Sequence, residues 1–378
     1  MASNKKIFII AGEASGDLYG AKLASQLLEK NSDLKIFGMG GDLMRNAHVD
    51  LVVDAKDLAV IGLIDVLKNF GKIRDAFNKI KKAIIQEKPD LIILIDYPGF
   101  NLRLAKVAKK ANVKVLYYIS PQIWAWRYNR IKKIKRDVDH MAVILPFEAE
   151  IYRKENVPVT FVGHPLLDIV KPTMSKIEAQ KTFGFKPEDR IVGLMPGSRK
   201  SEINYLLPTM LKAAEIIKES FPEIQFILPL ASTLHECDLN EYLDKSTIAI
   251  KIIKNNSYNA MQICDAIIAA SGTATLEITI LGIPLVIVFK TAPLNAFLGR
   301  RLIKVKFFGL ANLIAEKEII PELLQEDVTA ENIADKMKSI LKDQFLQSKM
   351  IADFSVVKQK LSVPTKKDIC DVVMGMLS

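Results

Sequence analysis

Four stretches of this chain place reactive residue types at points where an apolar run stops. The run at 266–270 (A-I-I-A-A) ends on Ser271-Gly272-Thr273, and Ala274, Ile278 and Leu281 then repeat at helical spacing. A buried strand that turns directly into a helix leaves free backbone N–H groups at the helix start, where they and the helix dipole favour an anion. Glu277, one turn on, only accepts hydrogen bonds and suits a pair of sugar or ribose hydroxyls, although a capped helix after a core strand reads the same way. In P-G-S-R-K-S-E at 196–202, Arg199 follows Gly197-Ser198, and its planar fork can hold two phosphate oxygens at once. G-E-A-S-G-D-L-Y-G at 12–20 combines glycines, which let a backbone approach a ligand, with Glu13, Ser15 and Asp17. It lacks the Gly-Lys-Ser/Thr of a Walker loop and is not G-x-G-x-x-G. Asp96 follows five apolar residues in I-D-Y-P-G-F-N, where partial desolvation can turn a carboxylate into a working base. It could equally order the Pro98-Gly99 turn ahead of a helix capped by Asn101.

The elements that must position these residues follow from hydrophobic periodicity. Short apolar runs at 6–11, 34–38, 90–95, 114–119, 141–145 and 159–162 predict strands in the first half. Runs at 191–195, 224–228, 248–252, 266–270 and 284–289 repeat the series in the second half. Helical spacing falls between them, at 20–28, 61–77, 79–87 and 203–211, and continues through 330–377. The stretch 171–189, with Pro172, Pro187 and mixed charge, is the best boundary. The expected fold is α/β, with two doubly wound parallel-sheet domains whose ligand edges face a central cleft. Their expected extents are 1–170 and 190–345, followed by a helical tail at 346–378.

Composition narrows the class. The 378 residues carry a net charge of +10, and residues 68–136 hold 18 Lys and Arg against four acids, so the remainder is slightly acidic. Such one-sided charge calls for an anionic partner: nucleic acid, a phosphorylated substrate or an acidic membrane. No nucleic-acid motif or aromatic-interleaved strand supports the first. Lys and Arg among bulky apolar residues at 290–308, and the apolar, basic helix at 61–77, suit contact with acidic lipid, though an ordinary packed helix explains 61–77 as well. Trp124 and Trp126, both tryptophans of the chain, could pave a pocket or an acyl-chain surface. Asp137-Val138-Asp139, beside His140, precedes a strand instead of closing one, so no metal is expected there. Three scattered cysteines, no signal-peptide pattern and no membrane-length apolar run predict a cytoplasmic protein.

Taken in order, G-E-A-S-G-D, I-D-Y-P-G-F-N, S-P-Q-I-W-A-W-R, L-P-F-E, V-G-H-P, P-G-S-R-x-x-E and S-G-T-A-T-L-E resemble the bacterial lipid-A-disaccharide synthase family from about residue 12 to 324. The resemblance implies a GT-B inverting glycosyltransferase without a cofactor or metal. Such an enzyme joins UDP-2,3-diacylglucosamine to 2,3-diacylglucosamine 1-phosphate at the inner face of the cytoplasmic membrane, and a homodimer is compatible with it. Carried over onto this chain, it makes Asp96 and Glu13 the catalytic carboxylates and puts Ser15 on the acceptor side. Arg199, Ser271, Gly272, Thr273, Glu277 and Asn312 fall to the UDP donor. The family often has Pro-Asn where this chain has Ala311-Asn312. A UDP-sugar 2-epimerase would share the architecture and donor loops, but it has no need of a cationic lipid-facing surface.

Overall fold

Every apolar run named above becomes a parallel strand. In the first half these are β1 (Lys6–Ala11), β2 (Lys35–Gly40), β3 (Asp50–Asp54), β4 (Leu91–Ile95), β5 (Lys114–Tyr118), β6 (His140–Val143) and β7 (Val159–Phe161). The second half has β8 (Ile191–Met195), β9 (Gln225–Pro229), β10 (Ile250–Ile253), β11 (Ala266–Ala270), β12 (Leu285–Phe289) and β13 (Glu322–Leu324). The computed structural model describes residues 5–58, 70–292, 306–363 and 368–378. These form two units: one runs to Pro165 and takes back Leu361–Ser378, the other is Leu166–Lys360. β4 and β11 are buried along their whole length, as strands covered by helices on both faces must be.

The first sheet has the order β3-β2-β1-β4-β5-β6-β7 and the second β10-β9-β8-β11-β12-β13. In each, the chain winds outward from a central strand and then returns to that strand's other side. The reversal lies between β1 and β4 in one unit and between β8 and β11 in the other, and the carboxyl ends there open a crevice. Because Ala11 pairs with Ile95, Gly12 and Asp96 leave the first sheet side by side. Ala269 pairs with Met195, which does the same for Ser271 and the turn at 196–199.

Three expectations change. The helix expected at 20–28 begins already at Ala14 and runs to Lys30, so it takes in most of the stretch at 12–20. Asp17 therefore faces inward, and its carboxylate accepts hydrogen bonds from the backbone N–H of Gly41 (2.6 Å), Leu43 (3.1 Å) and Met44 (3.1 Å), holding the start of the short helix Asp42–Asn46. Asp17→Ala would strand these donors, at an expected cost of about 1–3 kcal/mol in urea unfolding. Secondly, the helix spacing at 61–77 and 79–87 merges into one helix, Phe70–Glu87, while 61–69 lies outside the described residues. Finally, the tail at 346–378 is not one piece. Helix Gln344–Leu361 stays almost wholly with the second unit, whereas helix Ile369–Leu377 returns to the first. There it buries Ile369, Cys370, Val373 and Leu377, the Lys114 ammonium donates to the Met376 carbonyl (2.6 Å), and Asp371 just inside its start pairs with Lys30 (3.1 Å). A nine-residue helix with an apolar stripe needs such a surface to be stable.

Candidate active site

In the second unit a cavity of about 660 Å³ opens at the β8/β11 reversal. Its walls include Gly197, Ser198, Arg199, Ser271, Gly272 and Thr273. Helix Thr273–Leu281 starts there with no side chain capping it; the Thr275 N–H turns back to the Gly272 carbonyl (3.2 Å), which leaves those of Thr273 and Ala274 for a ligand. Across from it, the turn at 196–199 is held by Glu202, whose carboxylate accepts from the N–H of Ser198 (2.8 Å) and Arg199 (3.3 Å). Gly197 has φ of +119°, and a β-carbon on it would collide with that carboxylate, so glycine is required twice over. The Arg199 guanidinium touches Glu202 only loosely, at 3.4 Å, and remains more than half exposed. Glu277 also lines the cavity, and burial raises its pKa against a weak hydrogen bond from the Tyr258 hydroxyl (3.4 Å).

In the first unit the chain turns sharply where β4 ends. Asp96 and Tyr97 both have left-handed backbones, φ +44° and +45°. Each costs about 1–2 kcal/mol for a residue with a β-carbon. Three hydrogen bonds hold the turn. The Asn101 amide donates to the carbonyls of Ile95 (3.0 Å) and Asp96 (2.8 Å), and the buried Tyr117 hydroxyl donates to that same Asp96 carbonyl (2.6 Å). Asn101 thus sits inside helix Pro98–Lys110, tying it back to the strand instead of capping it. Gly12 makes room for the Tyr97 ring, which a β-carbon would strike. Desolvation, reinforced by the negative charge of exposed Glu13, pushes Asp96 up to about 7; the Tyr97 N–H and the Arg130 charge pull the other way. Strain held this firmly is typical of working sites.

Arg199, Ser271, Gly272, Thr273 and Glu277 therefore meet in one cavity, and Glu13 lies within electrostatic reach of Asp96. Ser15 is half-buried in the first turn of helix Ala14–Lys30. Asn312 does not join the donor residues. It is fully buried, donating to the Ile320 carbonyl (2.8 Å) and Glu322 (2.7 Å) and accepting from the N–H of Ile319 and Ile320, so no polar group is left for a ligand. Its task is to brace the approach to β13. Asp137 is bound by Arg136, and Asp139 by Lys109 and the Val115 N–H. No group of three metal-ligating side chains occurs among the described residues. Sequence reading missed Tyr258 and the polar run at 255–259, all of which lines the cavity; its signal was a cluster of Asn and Ser directly after a strand. It also missed Glu148, fully buried and raised to about 8 by desolvation, which accepts from the Trp124 indole N–H (3.1 Å).

A family model described as Lipid-A-disaccharide synthetase matches residues 7–371. The chain belongs to that family. A lipid-A-disaccharide synthase of Geobacter metallireducens is 48% identical over 377 residues, covering 100% of this chain and 98% of its own. One from Coxiella burnetii is 48% identical over 359 residues, covering 95% of each. Among solved structures, a UDP-GlcNAc 2-epimerase from Neisseria meningitidis bound to UDP-GlcNAc superposes with a TM-score of 0.66 at 12% identity, over 98% of this chain and 99% of that one. The S. aureus MnaA–UDP structure gives 0.63 at 13% identity, over 98% and 95%. At such identities the likeness is one of fold: two parallel-sheet α/β domains of the GT-B type.

Proposed function

We propose that the chain condenses UDP-2,3-diacylglucosamine with 2,3-diacylglucosamine 1-phosphate, forming a β-1,6 disaccharide 1-phosphate and releasing UDP. The observation that carries this reading is Asp96: a desolvated carboxylate on a strained turn, beside a second acid, in a chain of this family. The second unit takes the donor. Ser271, Gly272, Thr273 and Arg199 hold the diphosphate, and Glu277 holds the ribose hydroxyls. In the first unit, with Ser15 on the same side, Asp96 accepts the proton of the acceptor 6-hydroxyl while Glu13 keeps that carboxylate basic. The freed oxygen attacks the anomeric carbon from the face opposite the diphosphate. The bond to the leaving phosphate breaks as the new one forms, which inverts the centre through an oxocarbenium-like state. Arg199 stabilises the charge growing on UDP, an electrostatic task that a metal ion performs elsewhere. Dialysis against EDTA should accordingly leave turnover unchanged; loss restored by magnesium would reopen Asp137 and Asp139.

Product mass spectrometry tests the reaction. A disaccharide phosphate should form only when both substrates are present, whereas a changed UDP-sugar in the absence of acceptor would favour an epimerase. We also propose attachment to the inner face of the cytoplasmic membrane, supported by the basic first half and by the waxy substrates. Among the described residues no helix is long and apolar enough to cross a membrane. Most of the 290–308 stretch lies outside the described residues, but exposed Lys306, beside Phe307 and Phe308, does not. Sedimentation with vesicles should rise with anionic lipid and fall with salt, because the attraction is screened. Replacing Arg300, Arg301, Lys304 and Lys306 by Ser should weaken it.

A further inference from the structure

Trp126 is 38% exposed, and two guanidiniums lie against its indole: Arg127 at 4.4 Å and Arg130 at 5.1 Å from the ring centroid. Two like charges gathered on one ring repel. Burial and the neighbouring Arg127 both lower the pKa of Arg130. Ordinarily a carboxylate relieves such a pair. Here, among the described residues, no carboxylate comes within ion-pair distance of either arginine: Asp96, whose charge reaches Arg130, stops short of a pair, while Asp137 is engaged by Arg136 and Glu155 by the Tyr128 hydroxyl.

The arrangement is also held rigidly. Arg127 has a left-handed backbone, φ +58°. The turn that carries it is pinned by Trp124, whose indole N–H donates to buried Glu148 and whose ring meets Phe147 edge-on at 5.1 Å. β5 pairs with β4, Tyr118 opposite Ile95, so this turn leaves the sheet next to Asp96. The charges of Arg130 and Asp96 act on one another directly. A strained backbone, an aromatic platform and two cations without an ion-pair partner among the described residues thus converge beside the candidate base.

We propose that Arg127 and Arg130, presented on Trp126, bind the phosphate monoester of the acceptor. Planar guanidinium forks match phosphate oxygens in pairs, and the indole orients them while they are empty. Anchoring the acceptor at its 1-phosphate holds the sugar with its 6-hydroxyl toward Asp96, turning an encounter into a positioned reaction. This inference rests on the reading above. The bilayer offers the same chemistry in its anionic headgroups, and the test separates the two sources.

Kinetics are measured in neutral detergent micelles, with the acceptor offered as its 1-phosphate and as the phosphate-free diacylglucosamine. The unaltered protein should prefer the phosphorylated acceptor. In Arg127→Gln/Arg130→Gln the KM for that acceptor should rise about ten- to a hundred-fold, the range for losing charge-assisted hydrogen bonds. The preference should collapse and the KM for the UDP-sugar should stay put; at pH 9, where Asp96 is ionised with or without the Arg130 charge beside it, the phosphate-free acceptor should react as before. Arg130→Lys, which keeps the charge but loses the fork, should fall between. Three outcomes overturn the assignment: a preserved preference in the double variant, equal losses on both acceptors at pH 9, or unchanged kinetics with weaker binding to anionic vesicles, which would give the pair to the membrane. The disaccharide reading fails separately, if the unaltered protein makes no product from either acceptor.

Discussion

Asp96→Asn should fold, bind UDP as the unaltered protein does, and turn over about a hundred- to ten-thousand-fold more slowly. Asparagine keeps the shape of the side chain and leaves the hydrogen bonds to the Ile95 and Asp96 carbonyls, which come from Asn101 and Tyr117, untouched. What it removes is the base. UDP affinity should hold because the cavity residues all belong to Leu166–Lys360, whereas Asp96 belongs to the other unit. The pH profile carries a second signature. Asp96 must be ionised to accept a proton, so the unaltered rate should fall as pH drops below about 7, and this acid limb should vanish in the variant. Stability should move the opposite way. The folded protein keeps the Asp96 proton up to about 7, while the unfolded chain loses it near 3.8, so raising pH through that window lowers stability. The variant escapes this penalty and should be the more stable protein at pH 8 but not at pH 3.5. Turnover within a few-fold of the unaltered protein would reduce Asp96 to a turn residue and make Glu13 the next carboxylate to test.

For Arg199→Ala, kcat/KM should drop by about a hundred- to a thousand-fold, the range for losing one donor to developing charge in a closed site. The guanidinium has no strong internal partner, only Glu202 at 3.4 Å, so it is free to meet a diphosphate. For the same reason the thermal midpoint should barely move, since an exposed pair contributes at most about 1 kcal/mol. Glu202→Gln separates the parts, because Glu202 shapes the turn through the Ser198 and Arg199 N–H groups instead of meeting the ligand. It should loosen UDP binding more than it slows the bound donor. If Arg199→Ala retained near-normal turnover, Arg199 would be a surface residue and the helix start at Ser271, Gly272 and Thr273 would have to hold the diphosphate alone.

The sequence by itself determined the two strand–helix series, the central strands and the residues at their carboxyl ends. It could do so because a parallel strand buried on both faces must be apolar throughout, and Leu91–Ile95 and Ala266–Ala270 carry that mark with nothing to disguise it. The edge strands Asp50–Asp54 and Glu322–Leu324 went unread for the converse reason: half-covered and short, they need only two or three apolar residues among acids. Side-chain partners were a matter for the tertiary structure. Asp17 looks like a ligand contact in one dimension, since a carboxylate beside glycine suits a ligand as well as a backbone, and the family resemblance put Asn312 with the donor residues. Folding brings N–H and C=O groups from 24 and 8 residues away to claim them. The left-handed turn at Asp96, the meeting of Glu277 with Tyr258 and the two arginines on Trp126 likewise depend on which elements become neighbours. Neighbourhood in a doubly wound sheet follows strand order, and strand order is decided by packing across the whole unit, not by any single stretch of chain.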